Sequence, residues 1–234
     1  MVAARMPETL PEGEAKVRAV REMFDAIAPR YDLVNRVMTF RMDVGWRRRA
    51  VGSLALPPGS TVLDLACGTG DLCRELAASG LVPLGIDLSY GMLAAARTRA
   101  PLVQGDALHL PLRAAAVDGA TCGFALRNLA ALGPFLAELA RVVRPGGRIA
   151  LLEVATPPNR VLRWGHRAYF GRVVPVIGGL LSDGAAYRYL PRSVAYLPAP
   201  EELRRMVAGA GFADVDRRLL SGGIAQLIVA TRAA

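Results

Sequence analysis

Three carboxylates and one guanidinium stand where chemistry could be done. The first lies in Asp64-Leu65-Ala66-Cys67-Gly68-Thr69-Gly70-Asp71, at the end of an apolar β-type run and the start of a helical one. Glycines there admit φ > 0 and, lacking a Cβ, let a ligand approach the backbone. Asp87 ends the next β-type run, about 20 residues on, where an acid can accept both hydroxyls of a ribose. Asp106 follows a third run and is placed for an adenine amino group, with Ala107 offering a backbone amide; a turn or helix-cap role competes for it. Arg127, beyond a fourth run, is always charged and cannot serve as an ordinary base.

Two ligands compete for the glycine loop. A dinucleotide site requires G-x-G-x-x-G, but Cys73 stands at the third glycine position. S-adenosylmethionine carries no phosphate, and needs the close backbone approach and the ribose acid without that third glycine. Asp64 adds a carboxylate for the donor's ammonium group, directly or through water. The pattern favours the methyl donor.

The elements that must position these residues alternate. A helix built on Val17, Val20, Phe24 and Ile27 ends at Pro29, and a second runs around Trp46 to Leu54. Strands then span Thr61–Ala66, Val82–Asp87, Leu102–Gly105, Ala120–Leu126 and Arg148–Val154, with helices after the first, after the second (Tyr90–Arg99) and before the last (Leu132–Val143). Such alternation gives an α/β fold with a parallel sheet and right-handed crossovers. Residues 157–199 interrupt it with an insertion rich in Pro, Gly, Arg and aromatics, and the chain resumes with a helix from Glu201. Strands Val215–Leu219 and Ile224–Ala230 close the chain as a hairpin through Ser221-Gly222-Gly223. The expected organisation is effectively one domain: an N-terminal helical lid over 1–56 and a catalytic domain over 57–234.

Composition narrows the partners. With 53% hydrophobic residues the chain is expected to fold, and no apolar run approaches the ~18 residues that span a bilayer. The start lacks a secretory leader, so a cytoplasmic protein is expected. Cys67, Cys73 and Cys122 form no CxxC pair, and with two histidines there is no zinc spacing; buried thiols in a reducing compartment are the plain reading. The charge of +9 fits either biased arginine usage or an anionic partner. No nucleic-acid-binding signature accompanies it, so Arg47-Arg48-Arg49 is read as a solvated helix face or an attraction to anionic lipid.

Several segments together resemble the ubiquinone/menaquinone biosynthesis C-methyltransferases. They are Met23-Phe24-Asp25 through Ala28-Pro29-Arg30-Tyr31-Asp32 with Asn35, Leu63 to Asp71, Phe124-Ala125-Leu126-Arg127-Asn128, Val143 to Arg148, Tyr187-Arg188-Tyr189-Leu190 and Ser221-Gly222-Gly223-Ile224-Ala225. The resemblance implies a class I, Rossmann-like fold of seven strands with the last antiparallel, and methylation of demethylmenaquinol, or of a ubiquinol precursor, at ring carbon. Another small aromatic substrate is the alternative. S-adenosylmethionine is the implied cofactor, a prenylated quinol the implied substrate, and no metal is required.

The donor set is then Asp64, Gly68, Thr69, Gly70, Asp87, Leu88, Asp106, Ala107 and Gly123, covered by Tyr31 from the lid. Gly123 stands where many relatives carry serine. Arg127 becomes the catalytic candidate, stabilising a phenolate and holding a proton-accepting water; an ion pair or a helix cap is its plainer role. Asn35, Asn128, Tyr187 and Tyr189 are substrate candidates, with Asp32 in second line and His166 as a remote candidate for base. Met38, Met42 and Met92 suit an apolar tunnel or simple core filling. A prenyl tail would bring the protein to the inner face of the membrane, and Arg163 to Leu181, alternating arginines with aromatics, suits an interface. A homo-oligomer is left open.

Overall fold

The computed structural model describes residues 12–174, 176, 179, 189 and 192–234. Seven strands form one sheet in the order β3-β2-β1-β4-β5-β7-β6. They are β1 (Thr61–Leu65), β2 (Val82–Asp87), β3 (Leu102–Gln104), β4 (Val117–Gly123), β5 (Val143–Val154), β6 (Phe212–Leu220) and β7 (Ala225–Arg232). The first five pair in parallel, whereas β7 runs antiparallel to both β5 and β6. The chain order reverses between β1 and β4, and α/β sheets bind ligands at the strand ends beside such a switch.

Strand alternation sends successive side chains to opposite faces. Val62, Ala150, Leu152, Leu227 and Val229 meet α3 (Met42–Ser53) and α4 (Asp71–Ala78) through Trp46, Val51, Leu54, Leu72 and Leu76. Leu63, Leu65, Ile149, Leu151 and Ile228 meet α6 (Leu132–Val142) and α8 (Pro200–Gly209) through Phe135, Leu136, Leu139, Leu203 and Val207. A third cluster joins α1 (Gly13–Ile27) and α2 (Tyr31–Met38) through Val20, Met23, Ile27, Val34 and Met38, with Val174 and Tyr189 of the insertion.

Four expectations need correcting. The α2 helix went unread, because Pro29 was taken as a stop; a short 3-10 turn at Ala28–Arg30 instead carries the chain from α1 into it. The helix expected to reach Arg99 ends at Ala94 as α5 (Tyr90–Ala94), and the Arg97 amide then bonds Thr69 O at 3.1 Å, wrapping the chain around the glycine loop. β4 starts earlier than expected and stops at Gly123, since Phe124 takes φ +60°, off the extended conformation. Arg47, read as part of a solvated basic face, is buried instead: it pairs with Asp43, and with Asp71 at 3.3 Å. Arg36 reaches the same Asp71 at 2.9 Å, so this carboxylate ties α2 and α3 to α4. No helix among the described residues is long and apolar enough to cross a membrane.

Candidate active site

Two cavities open over the carboxyl ends of β1, β2 and β4, and they meet at Phe24, Tyr31 and Phe124. The first, about 100 Å³, is floored by Gly68, Asp87, Leu88, Gly105, Asp106, Ala107 and Gly123 and roofed by Val17, Val20 and Phe24 of α1. Asp87 holds the glycine loop: its Oδ2 accepts the Gly68 amide at 2.7 Å and its Oδ1 the Ser89 amide at 2.8 Å. Burial pushes its carboxyl above the usual range, against the pull of those amides. Hydroxyl donors from a ligand would offset that cost of burying charge. Asp106 is both a turn residue and part of the floor, its Oδ1 accepting the Leu108 amide at 2.9 Å. Asn128 Oδ1 is buried without a partner among the described residues.

The roof is locked by a residue that sequence reasoning passed over. Asp25 of α1 accepts from Ser89 Oγ at 2.6 Å and from the Gly91 amide at 2.8 Å, at the start of α5. A Cβ on Gly91 would lie 2.9 Å from the Asp25 backbone, so helix and loop can touch only because residue 91 is glycine.

The second cavity, about 540 Å³, is mostly apolar and aromatic. Met23, Ile27, Met38, Met42 and Trp46 come from α1, α2 and α3, and Val161, Leu162, Trp164, His166, Tyr169 and Phe170 from α7 (Arg160–Ala168) and the turn after it. Arg127 stands in its wall, buried on the 3-10 turn Leu126–Asn128, close to the junction with the first cavity. Its guanidinium pairs with Glu153 and donates to Phe124 O at 2.7 Å, while its Nε has no partner among the described residues. Glu153 is wholly buried and also accepts the Arg127 and Val154 amides, at 3.2 and 2.8 Å. Sequence reasoning missed Glu153 too; the signal was an acid inside the apolar run of β5.

A cavity floored by two carboxylates and joined to a larger apolar one can now be set beside known proteins. The ubiE/COQ5 methyltransferase family matches residues 12–232. This chain belongs to that family. The ubiquinone/menaquinone biosynthesis C-methyltransferase UbiE of Syntrophotalea carbinolica is 44% identical over 216 residues, covering 88% of this chain and 91% of that protein. The demethylmenaquinone methyltransferase of Thermus thermophilus is 45% identical over 220 residues, 90% of this chain and 100% of that one. A solved structure of an SAM-dependent methyltransferase from Thermotoga maritima shares the fold at 19% identity and a TM-score of 0.63, covering 91% of this chain and 99% of that one.

In this ubiE/COQ5 family member the residues expected to hold the donor divide. Gly68, Asp87, Leu88, Asp106, Ala107, Gly123 and Tyr31 line the first cavity. Asp64, Thr69 and Gly70 do not. Asp64 lies fully buried beneath the loop, its oxygens taken by Thr121 Oγ1 at 2.7 Å and by Cys73 Sγ at 3.5 Å. Direct contact with a ligand ammonium is therefore closed to it, and burial pushes its carboxyl up to about 7. Thr69 turns to a separate groove and donates to Asp32 at 2.5 Å, which gives both residues a lid-fastening role. Gly70, at φ +82°, packs against Thr98. A Cβ on Gly123 would meet Leu72 at 2.8 Å, so a side chain there would crowd α4.

The substrate candidates divide as well. Asn35 lines the second cavity, hydrogen-bonded to Tyr31, whereas Asn128 lines the first. Burial pushes the Tyr31 phenol up, opposed by Arg47, Asn35 and Arg127, so it stays protonated. Tyr189 packs in the helical cluster and lines neither cavity, so a contact with the ring is replaced by core packing. Tyr187 lies outside the described residues. Of the methionines, Met38 and Met42 line the second cavity and Met92 the first.

Proposed function

We propose that this chain methylates the ring carbon of demethylmenaquinol, giving menaquinol, with S-adenosylmethionine as donor. The observation that carries the reading is the pair of cavities sharing Phe24, Tyr31 and Phe124, one floored by Asp87 and Asp106 and the other apolar with Arg127 in its wall. The residues present fit the donor. Asp87 would take the ribose hydroxyls, Asp106 and the Ala107 amide the adenine, and the unpartnered Asn128 Oδ1 an ammonium hydrogen. When bound, S-adenosylmethionine supplies a methyl group on a positively charged sulfur.

The protein's own part is to orient the acceptor and stabilise charge as it develops. Arg127, fixed by Glu153 and Phe124 O in the wall of the second cavity, would stabilise the phenolate whose electrons reach the ring carbon. Its ion pair, the plainer role considered from sequence, is compatible with this one. The apolar walls exclude water, which strengthens that interaction.

The same reading accounts for an exposed apolar rim. Leu33, Val37 and Phe40 beside α2 and Val161, Leu162 and Trp164 on α7 are exposed, Trp164 by 75%. Phe40 and Tyr169 rings 5.8 Å apart join the two sides, and Phe40, Leu162 and Trp164 also line the mouth of the second cavity. A prenyl tail leaving that mouth would pass over the rim into a bilayer, with the exposed Arg41, Arg160 and Arg167 of the same segments available to anionic headgroups. Methyl transfer from labelled donor to a short-chain demethylmenaquinol tests the reaction; transfer no faster than to unrelated phenols would defeat it. Flotation with anionic vesicles tests the rim, and a native protein that stays with the unbound fraction would defeat that part.

A further inference from the structure

The groove lined by Thr69 is distinct from both cavities and has no part in the methyl transfer proposed above. At about 990 Å³ it falls within the usual size of a ligand site. Four arginines line it, Arg36, Arg41, Arg74 and Arg97, together with the apolar Leu33, Val37 and Phe40. Leu33 and Val37 stand four residues apart on one face of α2, and all three apolar side chains are exposed. Phe40 also lines the mouth of the second cavity, so groove and mouth are neighbours.

Short contacts tie the four arginines into one cluster. Arg36 and Arg74 both donate to Oδ1 of Asp71, the first at 2.9 Å. Arg74 also donates to Thr69 O at 3.2 Å and to Arg97 O at 3.1 Å. The Arg41 amide donates to Arg36 O at 2.9 Å. Asp32 is the acid in the lining, and its Oδ1 accepts from Thr69 Oγ1 at 2.5 Å. Arg47, the third partner of Asp71, is matched by Asp43. Set against Asp32 and Asp71, the four arginines leave a surplus of two positive charges. Arg41 and Arg97 carry it: both are exposed, and neither side chain has an ion pair among the described residues.

We propose that this groove binds the phosphodiester headgroup of an anionic phospholipid, and so holds the mouth of the second cavity against a bilayer. The inference rests on the reading that the substrate's tail leaves by that mouth. Guanidinium forks bind phosphate oxygens in pairs, and the surplus charge here is met by an anion. The apolar residues decide between a free ion and a lipid. Leu33, Val37 and Phe40 would be left in water by inorganic phosphate, but the acyl chains of a phospholipid cover them. A solvated arginine face would attract every anionic surface alike, whereas a built groove takes one lipid per chain.

Calorimetric titration with monomeric dihexanoylphosphatidylglycerol tests the groove without a bilayer, with inorganic phosphate as the comparison ligand. The native protein is expected to bind one lipid, about tenfold or more tighter than phosphate, the difference coming from its acyl chains. The double variant Arg41→Gln, Arg97→Gln should weaken the lipid about 25-fold, roughly fivefold for each arginine. Both positions are exposed and unpaired, so the variant keeps the fold. The control Arg49→Gln, Arg205→Gln removes the same charge from exposed positions outside the groove and should change the affinity by less than about twofold. A native protein that does not bind the lipid overturns the proposal. Equal losses in the two double variants do so too, being the mark of diffuse attraction, as does phosphate bound as tightly as lipid. Methyl transfer to a short-chain quinol is measured separately: lipid binding without transfer defeats the proposed reaction and leaves the groove standing, and transfer without lipid binding does the reverse.

Discussion

The two cavities are built in different ways. The first, the proposed donor side, is made by the backbone at strand ends: Gly68, Asp87, Asp106 and Gly123 stand at or just beyond β1, β2, β3 and β4. The second, the proposed acceptor side, is made by side chains from three N-terminal helices, the turn after β4 and α7. A site of the first kind is set by topology, because a parallel sheet brings those ends together whatever the loops contain. A site of the second kind depends on packing between segments over a hundred residues apart, such as the Tyr169 bond to Met38 O. Donor binding and acceptor chemistry should therefore be separable by mutation.

The sharpest separation is expected at Arg127. Arg127→Ala should lower kcat by about 10²–10³, the range for removing one preorganised group that stabilises developing charge. The dissociation constant of the donor should stay unchanged, because Arg127 does not line the first cavity. Single-turnover methyl transfer and donor titration on the same preparation check this. Since the change leaves Glu153 buried and unpaired, the Arg127→Lys variant is the control for folding; it keeps a charge but loses the fork geometry. A parallel loss of donor affinity would erase the division between the two sides.

Asp87→Ala makes the complementary case. Two hydroxyl-to-carboxylate bonds of ~1.5 kcal/mol each correspond to a donor Kd weaker by about 100-fold. With donor saturating, kcat should hold within a few-fold. A kcat that fell as far as the affinity would mean that the glycine loop also positions the acceptor.

The rim should give a smaller effect, confined to long-tailed substrate. Leu33 and Val37 are exposed and line neither cavity, so the double variant Leu33→Glu, Val37→Glu tests the surface without touching the site. Flotation with anionic vesicles should be lost, and KM for a vesicle-embedded quinol should rise about tenfold, on the order of burying one apolar side chain. Turnover of a soluble short-chain quinol serves as the control.

The same contrast explains what could be read in advance. The alternation of strands and helices, the hairpin and the positions of Asp87 and Asp106 follow from period-two hydrophobicity and glycine spacing, which are local signals. Arg127 was found through a motif, but its partner Glu153 looked like one more residue in a buried strand, and the pairing appears only when β4 and β5 lie side by side. Asp25 against Ser89 is likewise a product of packing, with no spacing to betray it, whereas His166 and Phe170 stand four residues apart, a helical spacing that puts them on one face. Thr69 was misplaced for a local reason: at the tip of a loop with Gly68 and Gly70 both at positive φ, one backbone rotation sends its side chain to Asp32 instead of the donor cavity.

Asp64 offers the smallest expected effect and the finest test of the division. It belongs to the donor motif by sequence, yet it lies beneath the floor, bonded to Thr121 and Cys73. Its folded pKa of about 7 stands above the ordinary 3.8, so the folded protein binds the extra proton between those values. That favourable difference is fully present below about pH 4 and is lost as pH rises through 7, at no more than ~1.4 kcal/mol per pH unit. Asp64→Asn, which cannot ionise, should remove that slope from thermal unfolding measured between pH 4 and 8. Its donor Kd should change only about twofold, against about 100-fold for Asp87→Ala. A loss of affinity at Asp64 comparable to that at Asp87 would mean that the buried carboxylate holds the loop, and through it the ligand, in one conformation.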